Sequence, residues 1–414
     1  MFNVLKIASR NLWRYWRRTV LTAGLIAVGV VAVLLFLALA GSFKNLMIGQ
    51  ITDSYLGHLQ VHHRGYVASI ESLPLNLNMT VERAEIALAA LDRLDAVVAT
   101  SPRIKFGSMF SNFTETTNIR INGIDPAREI ATTPDLPRRV VGGRDEEFLV
   151  PGEIQVPELL AQGMRVKAGD TVVLVATNRD GSVNGRPFLV RGILSGVTGP
   201  GGRDGYVHID DARQLLRMTE PEVSEIVVRL TTLDAVDAAV EALSTALASH
   251  RLPNGRSLFE VHAWERLSPF ANIANMVDLM IVFMRVMLVS IVLVAVMNVM
   301  IMAVYERIRE IGMISAIGTP PGTILSLFLC EGLLLGIVGT MVGLIVSVAV
   351  IYTLNLRKVA FTFGQGQNLL LAPEISVADV AVTGIMVIGI AVLASVQPAW
   401  KAGRMDPIAA LRHV

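Results

Sequence analysis

Four stretches of this chain are long and apolar enough to cross a membrane, and they are unevenly spaced: 20–40, then 279–304, 324–352 and 380–396. A span needs about 20 predominantly apolar residues to cross roughly 30 Å of hydrocarbon. Inside that layer each backbone amide must find its partner within the segment, so every such run is helical. The composition agrees, with 52% hydrophobic and 17% charged residues and a mean hydropathy of +0.54, far from soluble averages. The first run is too long for the core of a cleaved signal and is read as a retained helix. The expected fold is an α-helical membrane protein with four transmembrane helices. A large mixed α+β extracytoplasmic domain of two subdomains is inserted between helices 1 and 2.

Charge gives the orientation. Lys6, Arg10, Arg14, Arg17 and Arg18 precede the first span with no acid among them, which favours a cytoplasmic N-terminus. Four spans bring the C-terminus back to that side, in agreement with Lys401, Arg404 and Arg412, while Arg357 and Lys358 dissent. The expected segments are a cytoplasmic amphipathic interfacial helix (1–18), span 1 (19–41), the extracytoplasmic domain (42–277), span 2 (278–304), a cytoplasmic coupling segment (305–323), span 3 (324–352), a short extracytoplasmic loop (353–379), span 4 (380–397) and a cytoplasmic tail (398–414). The first helix should carry Phe2, Leu5, Leu12, Trp13 and Trp16 on one side and its cations on the other, a pattern suited to a lipid headgroup layer.

The segment between spans 2 and 3 is the most informative short stretch. Ile308, Ile311, Ile314 and Ile317 recur every three residues and make one apolar stripe on a helix, with Glu306, Arg307, Arg309 and Glu310 beside it. Pro320 and Pro321 end the pattern. A short charged helix between two spans is an interaction surface facing the cytoplasm.

In the inserted domain, strand patterns are expected at 58–62, 119–124, 171–177, 187–194 and 224–230. Helices are expected at 81–94, 210–218 and 232–249, the second capped by Asp210 or Asp211. The glycine-rich 199–205 reads as a loop tip. Cys330, the one cysteine, falls in the third span, so the inserted domain folds without disulfides.

Chemistry is sparse. No lysine follows a glycine, so the Gly-Lys step of a phosphate-cradling loop is missing and no nucleotide cofactor is expected in this chain. His58, His62 and His63 lie on a predicted strand. There His62 and His63 point to opposite faces and His58 and His62 stand about 13 Å apart, so neither a metal nor a catalytic site is expected. Gly332, Gly336, Gly339 and Gly343 allow close helix packing, within one chain or against a second copy. Arg285 and Glu331 are ionisable groups at membrane depth and functional candidates for that reason. Their depths differ by roughly 18 Å at about 1.5 Å per residue, so they should not meet. Asp278, two turns away, is the expected partner of Arg285, with Glu331 reaching interfacial cations or a neighbouring helix.

These residues resemble a known family. ERIREIGMISAIG (306–318) looks like the cytoplasmic coupling segment of the MacB/FtsX-like permeases, the type VII ABC transporters that include the lipoprotein-releasing LolC/LolE-type subunits. PAWKAGRMDPIAALR (398–412) is similar to that family's ending, EGLLLGIVGTMVG (331–343) to its third helix, and GHLQVHHRGY (57–66) and KAGDTVVLV (167–175) to two of its outer strands. The resemblance implies a permease subunit in the bacterial inner membrane that works as a dimer, with a second copy or a paralogue. Separate ABC ATPase subunits would bind ATP and Mg. It implies that Glu306, Arg307, Arg309, Glu310, Met313 and Ile317 seat in the ATPase, with Asp406, Pro407, Ile408 and Leu411 forming a second contact. A periplasmic carrier or adaptor and membrane lipids are further expected partners; nucleic acid is not. The implied role is extraction or export of a lipoprotein or other amphiphile by movement of the outer domain. The alternatives are an FtsX-like transmitter that activates a cell-wall hydrolase and a MacB-like efflux pump for peptides or small molecules. A membrane sensor would need a cytoplasmic signalling module, for which the segment after Val396 offers little room.

Overall fold

In the computed structural model, residues 2–143, 147–196, 203–357, 360–363, 366–370, 373–406 and 410 are described. They form two compact units: 1–44, 275–360 and 370–414 make the first, 45–274 and 361–369 the second.

The first unit is helical. A short helix α1 (Phe2–Arg14) precedes four long ones: α2 (Trp16–Ile51), α9 (Ala271–Glu306), α11 (Pro321–Arg357) and α12 (Val377–Gly403). At roughly 1.5 Å per residue, the 36 residues of α2 make about 54 Å, longer than the hydrocarbon layer of about 30 Å. All four are long and apolar enough to cross a membrane. The expected loop at 353–379 holds two paired strands, β11 (Ala360–Phe363) and β12 (Gly366–Leu370).

Helix α11 is the spine of this unit because its glycines let two neighbours approach. A Cβ at Gly336 would stand 2.7 Å from Ala391 Cβ of α12, and one at Gly332 would strike Ser395. A Cβ at Gly339 would lie 2.8 Å from Ile26 Cβ of α2, and one at Gly343 2.7 Å from Val30 Cβ. All four glycines therefore serve packing within the chain, two against each neighbour. Around them Ile26, Val30, Leu34, Leu288, Val292, Val296, Phe328, Leu335, Val387 and Ala391 form one apolar core. In lipid, van der Waals contact of this kind replaces the hydrophobic effect as the packing force.

The second unit is mixed α and β, built about one long strand, β2 (Val97–Ser111). Its first half pairs with β9 (Glu225–Leu230), which pairs in turn with β1 (Leu59–His63), and β1 with β10 (Phe259–Ala263), all antiparallel. Helices α3 (Val81–Leu91) and α7 (Val236–Leu247) cover this sheet. The order β10-β1-β9-β2, with helices in the first and third connections, is the split βαβ arrangement. The second half of β2 pairs with β3 (Thr116–Ile124) and β6 (Thr171–Thr177). With β4 (Val140–Gly143), β5 (Glu153–Pro157), β7 (Val183–Leu194) and β8 (Asp204–His208) these build a second subdomain with its own core of Ile104, Phe106, Phe110, Ile121, Val156, Leu174, Phe188 and Leu215. Three short helices, α4 (Pro126–Thr132), α5 (Glu158–Gly163) and α6 (Ile209–Leu215), belong to it.

Two local expectations change. Helix α6 is capped by the His208 ring, which accepts from Asp210 N, while Asp211 turns inward to accept from Gly152 N at 2.6 Å. Of the 199–205 stretch, 199–202 lies outside the described residues, and Asp204 and Gly205 are strand residues of β8, with Asp204 buried.

Where the subdomains meet, β2 carries charge into the interior. Arg103 is fully buried and donates to Glu129 through Nε at 3.0 Å and through Nη2, and to Glu225 through Nη1 at 3.2 Å. Lys105 Nζ lies 3.4 Å from Glu225 and donates to Tyr55 Oη at 3.1 Å, which donates to Asp204 at 2.8 Å. Arg120 and Asn122 complete the shell of Asp204 at 2.9 and 3.1 Å. Three cations thus face three carboxylates, which is what makes their burial tolerable. Tyr55 sits in a π-helical turn, Thr52–Leu56, that follows α2. Burial, then the Asp204 and Glu225 carboxylates, push its phenol well above its ordinary value, so it keeps the proton it donates. Gly57 ends that turn at φ +66, where a Cβ would meet Val228 O at 2.9 Å. Only glycine fits there.

Two outcomes follow. Gly339→Ala should destabilise the full chain by about 1–3 kcal/mol through overpacking, read as a lowered Tm in detergent. Gly389→Ala, whose Cβ meets nothing within 4 Å, should leave Tm unchanged or raised. The second concerns pH. Burial works against the Glu225 charge, but Lys105, then His62 and Arg103, more than offset it and hold its pKa well below the ordinary range. Its contribution to stability is therefore fully present above the unfolded glutamate pKa of about 4.3 and is lost as pH falls below it. Glu225→Gln should be less stable at pH 7, with a flatter fall in stability below about pH 4.3, measured by chemical unfolding at stepped pH.

Candidate functional site: helix α10 and its clamp

The 305–323 segment contains a helix, α10 (Ile308–Ala316). It is separated from α9 by a break at Arg307, where φ is −114° and ψ is 17°. At its other end Gly318 takes φ +98, with Gly318 N bonded to Ser315 O and Thr319 N to Ile314 O. This is a glycine-stopped terminus followed by proline. All four isoleucines follow the break at Arg307, and with about 3.6 residues per turn a spacing of three drifts steadily round the helix, so the stripe divides. Ile308 and Ile311 are buried, whereas Ile314 is exposed and Ile317 is 80% exposed.

The break also corrects the expectation for Arg307, which does not face outward. It is only 4% exposed and donates through Nη1 to Glu331 at 2.7 Å, with Glu331 itself 1% exposed on α11. The same oxygen, Oε1, accepts from Asn11 Nδ2 of α1 at 2.7 Å. The guanidinium also lies 4.5 Å from the centre of the Tyr15 ring, at the break between α1 and α2, within range for cation–π attraction. Two outer pairs flank this centre: Arg18 with Glu306 at 2.9 Å and Arg14 with Glu310 at 3.5 Å. Helix α1 thus turns Ala8, Asn11, Leu12 and Tyr15 inward, while Leu5, Trp13 and Trp16 are exposed. The expected apolar side of this helix is thereby corrected: a polar contact to Glu331 fixes its rotation.

Among the coupling candidates, Arg309, Glu310 and Met313 lie exposed on α10 and Ile317 just past its end, while Glu306 and Glu310 are exposed but paired with Arg18 and Arg14. Asp406 is exposed, and Pro407, Ile408 and Leu411 lie outside the described residues. Arg285 does not pair with Asp278. It donates to Asp379 at the start of α12 at 2.7 Å, while Asp278 accepts from Lys44 at 2.6 Å. The reason is geometric: Ser376 caps α12 by accepting from Asp379 N, which presents that carboxylate to α9. Asn11, Tyr15 and Asp379 were missed because nothing in their local sequence marks them; each matters through a partner on another helix.

The second unit contains a cleft of about 860 Å³ on the β2–β3–β6 surface, lined by Leu73, Met109, Ile119, Val175, Arg120 and Arg203 among others. His58, His62 and His63 have other engagements. His58 accepts from Leu230 N, His62 stacks on Tyr66 and His63 bonds Arg64 O. Among the described residues no cluster of three metal-ligating side chains occurs.

Four membrane-length helices, a large α+β insertion after the first and a charged helix after the second are the marks of one architecture. Residues 19–246 match the MacB-like periplasmic core domain and residues 282–407 the FtsX-like permease C-terminal domain. The chain belongs to the MacB/FtsX-like permease family. It is a multi-pass ABC transporter permease of the LolC/MacB type. The permease is 24% identical to the lipoprotein-releasing system transmembrane protein LolC of Neisseria meningitidis serogroup B, over 99% of this chain and 97% of that one. It is 26% identical to the pyoverdine export ATP-binding/permease protein PvdT of Pseudomonas fluorescens, over 99% of this chain but 59% of that one. The periplasmic region of MacB from Actinobacillus actinomycetemcomitans aligns with a TM-score of 0.34 at 11% identity, covering 50% of this chain and 89% of its own. These relatives are named as transporter components rather than as enzymes of metabolism.

The clamp predicts a sharp contrast between its centre and its rim. Arg307→Glu sets two carboxylates together out of water and should cost about 3–5 kcal/mol. Glu310→Lys loses only an exposed pair and should cost less than about 1 kcal/mol. Thermal unfolding of the two full-length variants in the same detergent checks this.

Proposed function

We propose that this permease takes movement from separate ATPase subunits through α10 and passes it to its inserted domain, so that a lipoprotein or similar amphiphile is drawn out of the inner membrane. The observation that carries this reading is the division of α10. Ile308 and Ile311 bury one side against the helical unit, while Arg309, Glu310, Met313, Ile314 and Ile317 leave the other side exposed. An exposed strip of large apolar and charged side chains on a helix between two spans fits a protein partner better than lipid or water. With basic residues on the first helix and the bias of cations to the inner face, that strip faces the cytoplasm and both termini lie there. ATP and Mg would be held by the partner. The working unit would be a dimer with a second permease copy or a paralogue, handing cargo to a periplasmic carrier or adaptor.

Lipoprotein release is favoured as the task because similarity to a lipoprotein-releasing transmembrane protein runs through almost the full length of both chains. Export of a small secreted molecule is the second reading, supported by similarity to the pyoverdine export protein over 99% of this chain.

The permease should co-purify with an ABC ATPase subunit when the two are produced together. Met313→Asp with Ile317→Asp should weaken that association at least tenfold while leaving insertion and Tm unchanged, because both side chains are exposed. Undiminished association would remove α10 as the docking surface. ATP-dependent release of a triacylated lipoprotein from proteoliposomes, set against release of a fluorescent peptide, separates the two tasks.

A further inference from the structure

We propose that Glu331 is the node through which displacement of α10 reaches the N-terminal helix, with Arg307 as the residue that carries it. The inference rests on the reading of α10 as the ATPase-facing helix and names the path inward from it. Three separate stretches of chain converge on this carboxylate: the α9–α10 break through Arg307, the interior of α11 at Glu331, and α1 through Asn11. Both hydrogen bonds fall on one oxygen, Oε1, at 2.7 Å each. Neither donor can shift without altering the geometry available to the other.

Arg307 is suited to move. It occupies the single non-helical residue between two helices, so rotation of α10 is absorbed at its backbone and appears as displacement of its guanidinium. Its Nε and Nη2 are buried without a hydrogen-bond partner. A guanidinium with two unused buried donors is not at the bottom of its hydrogen-bonding well, and a second arrangement with more bonds to the Glu331 carboxylate is open to it. Tyr15 lies under the same guanidinium at the break before α2, so the movement would arrive at the start of the first span as well as at Asn11. The exposed pairs Arg18–Glu306 and Arg14–Glu310 run alongside, but exposed pairs are weak and screened by salt. A buried ion pair is a poor device for stability alone, since apolar residues of the same volume commonly do as well. Its directional bonds make it suited to hold two helices in register.

Coupling between two sites is reciprocal, so the node can be tested from the side away from α10. In the full-length chain, Asn11→Ala and Tyr15→Leu remove the α1 side while leaving Arg307 paired with Glu331. Amide hydrogen exchange across 308–316 should then quicken about fivefold or more, although neither substitution is on α10. Ser9→Ala, which loses only a local bond to Lys6 O, should leave α10 unchanged. Exchange altered in α1 alone would overturn the node. In the complex with the ATPase, Asn11→Ala should keep wild-type association while ATP-driven release falls about tenfold; unimpaired release would also overturn it. Failure of the wild-type chain to bind the ATPase would bear on the docking reading, and the exchange measurement would still decide the node.

Discussion

A carboxylate withdrawn from water must be met by cations or donors at hydrogen-bond distance, and this constraint organises both units of the permease. In the helical unit, Glu331 draws Arg307 and Asn11 onto one oxygen. In the α+β unit, Glu129, Glu225 and Asp204 draw in Arg103, Lys105 and Arg120. In each case the partners come from segments distant in sequence, so satisfying the charge also fixes which segments meet. Desolvation of a single ion costs several kcal/mol even after relaxation. The pairings are therefore steep in geometry: slight displacement loses the hydrogen bonds and leaves the cost.

Close packing supplies the complementary rule. Apolar contact in lipid is gained by approach rather than by escape from water, and approach needs small side chains. The four glycines of α11 admit α12 on one side and α2 on the other. Helix α9 carries polar ties beside its apolar contacts: Asp278 to Lys44, Arg285 to Asp379 and Glu306 to Arg18. Helix α10 follows directly from this one.

The same division explains what could be read from the amino acids. Apolar runs are local and long, so the four spans were legible. So was the strand 171–177. The strand β2 was not, because it carries Arg103 and Lys105 into the interior and holds Pro102, against every rule of alternation. Its charges become intelligible only beside Glu129, Glu225 and Tyr55, which sit on α4, on β9 and in the turn after α2. The outward reading of Arg307 failed for a related reason. Arg307 occupies the one residue between α9 and α10 and belongs to neither helix, so a face read from helical period does not apply to it. The Arg285 pairing failed because a partner on the same helix was preferred to a capped carboxylate nearly a hundred positions away.

Arg307 shows why burial and exposure have to be weighed residue by residue within a single motif. Glu306, Arg307, Arg309 and Glu310 are consecutive charged positions in one short segment, yet Arg307 is withdrawn from solvent and the others are not. The exposed strip of Arg309, Glu310, Met313 and Ile317 is carried on a segment whose first turn grows from the buried arginine. The strip thus begins, at Arg309, less than one helical turn from the buried arginine. The covalent path from the exposed strip to α9 runs through the break at Arg307, whose side chain is held by a hydrogen bond to a carboxylate shared with α1.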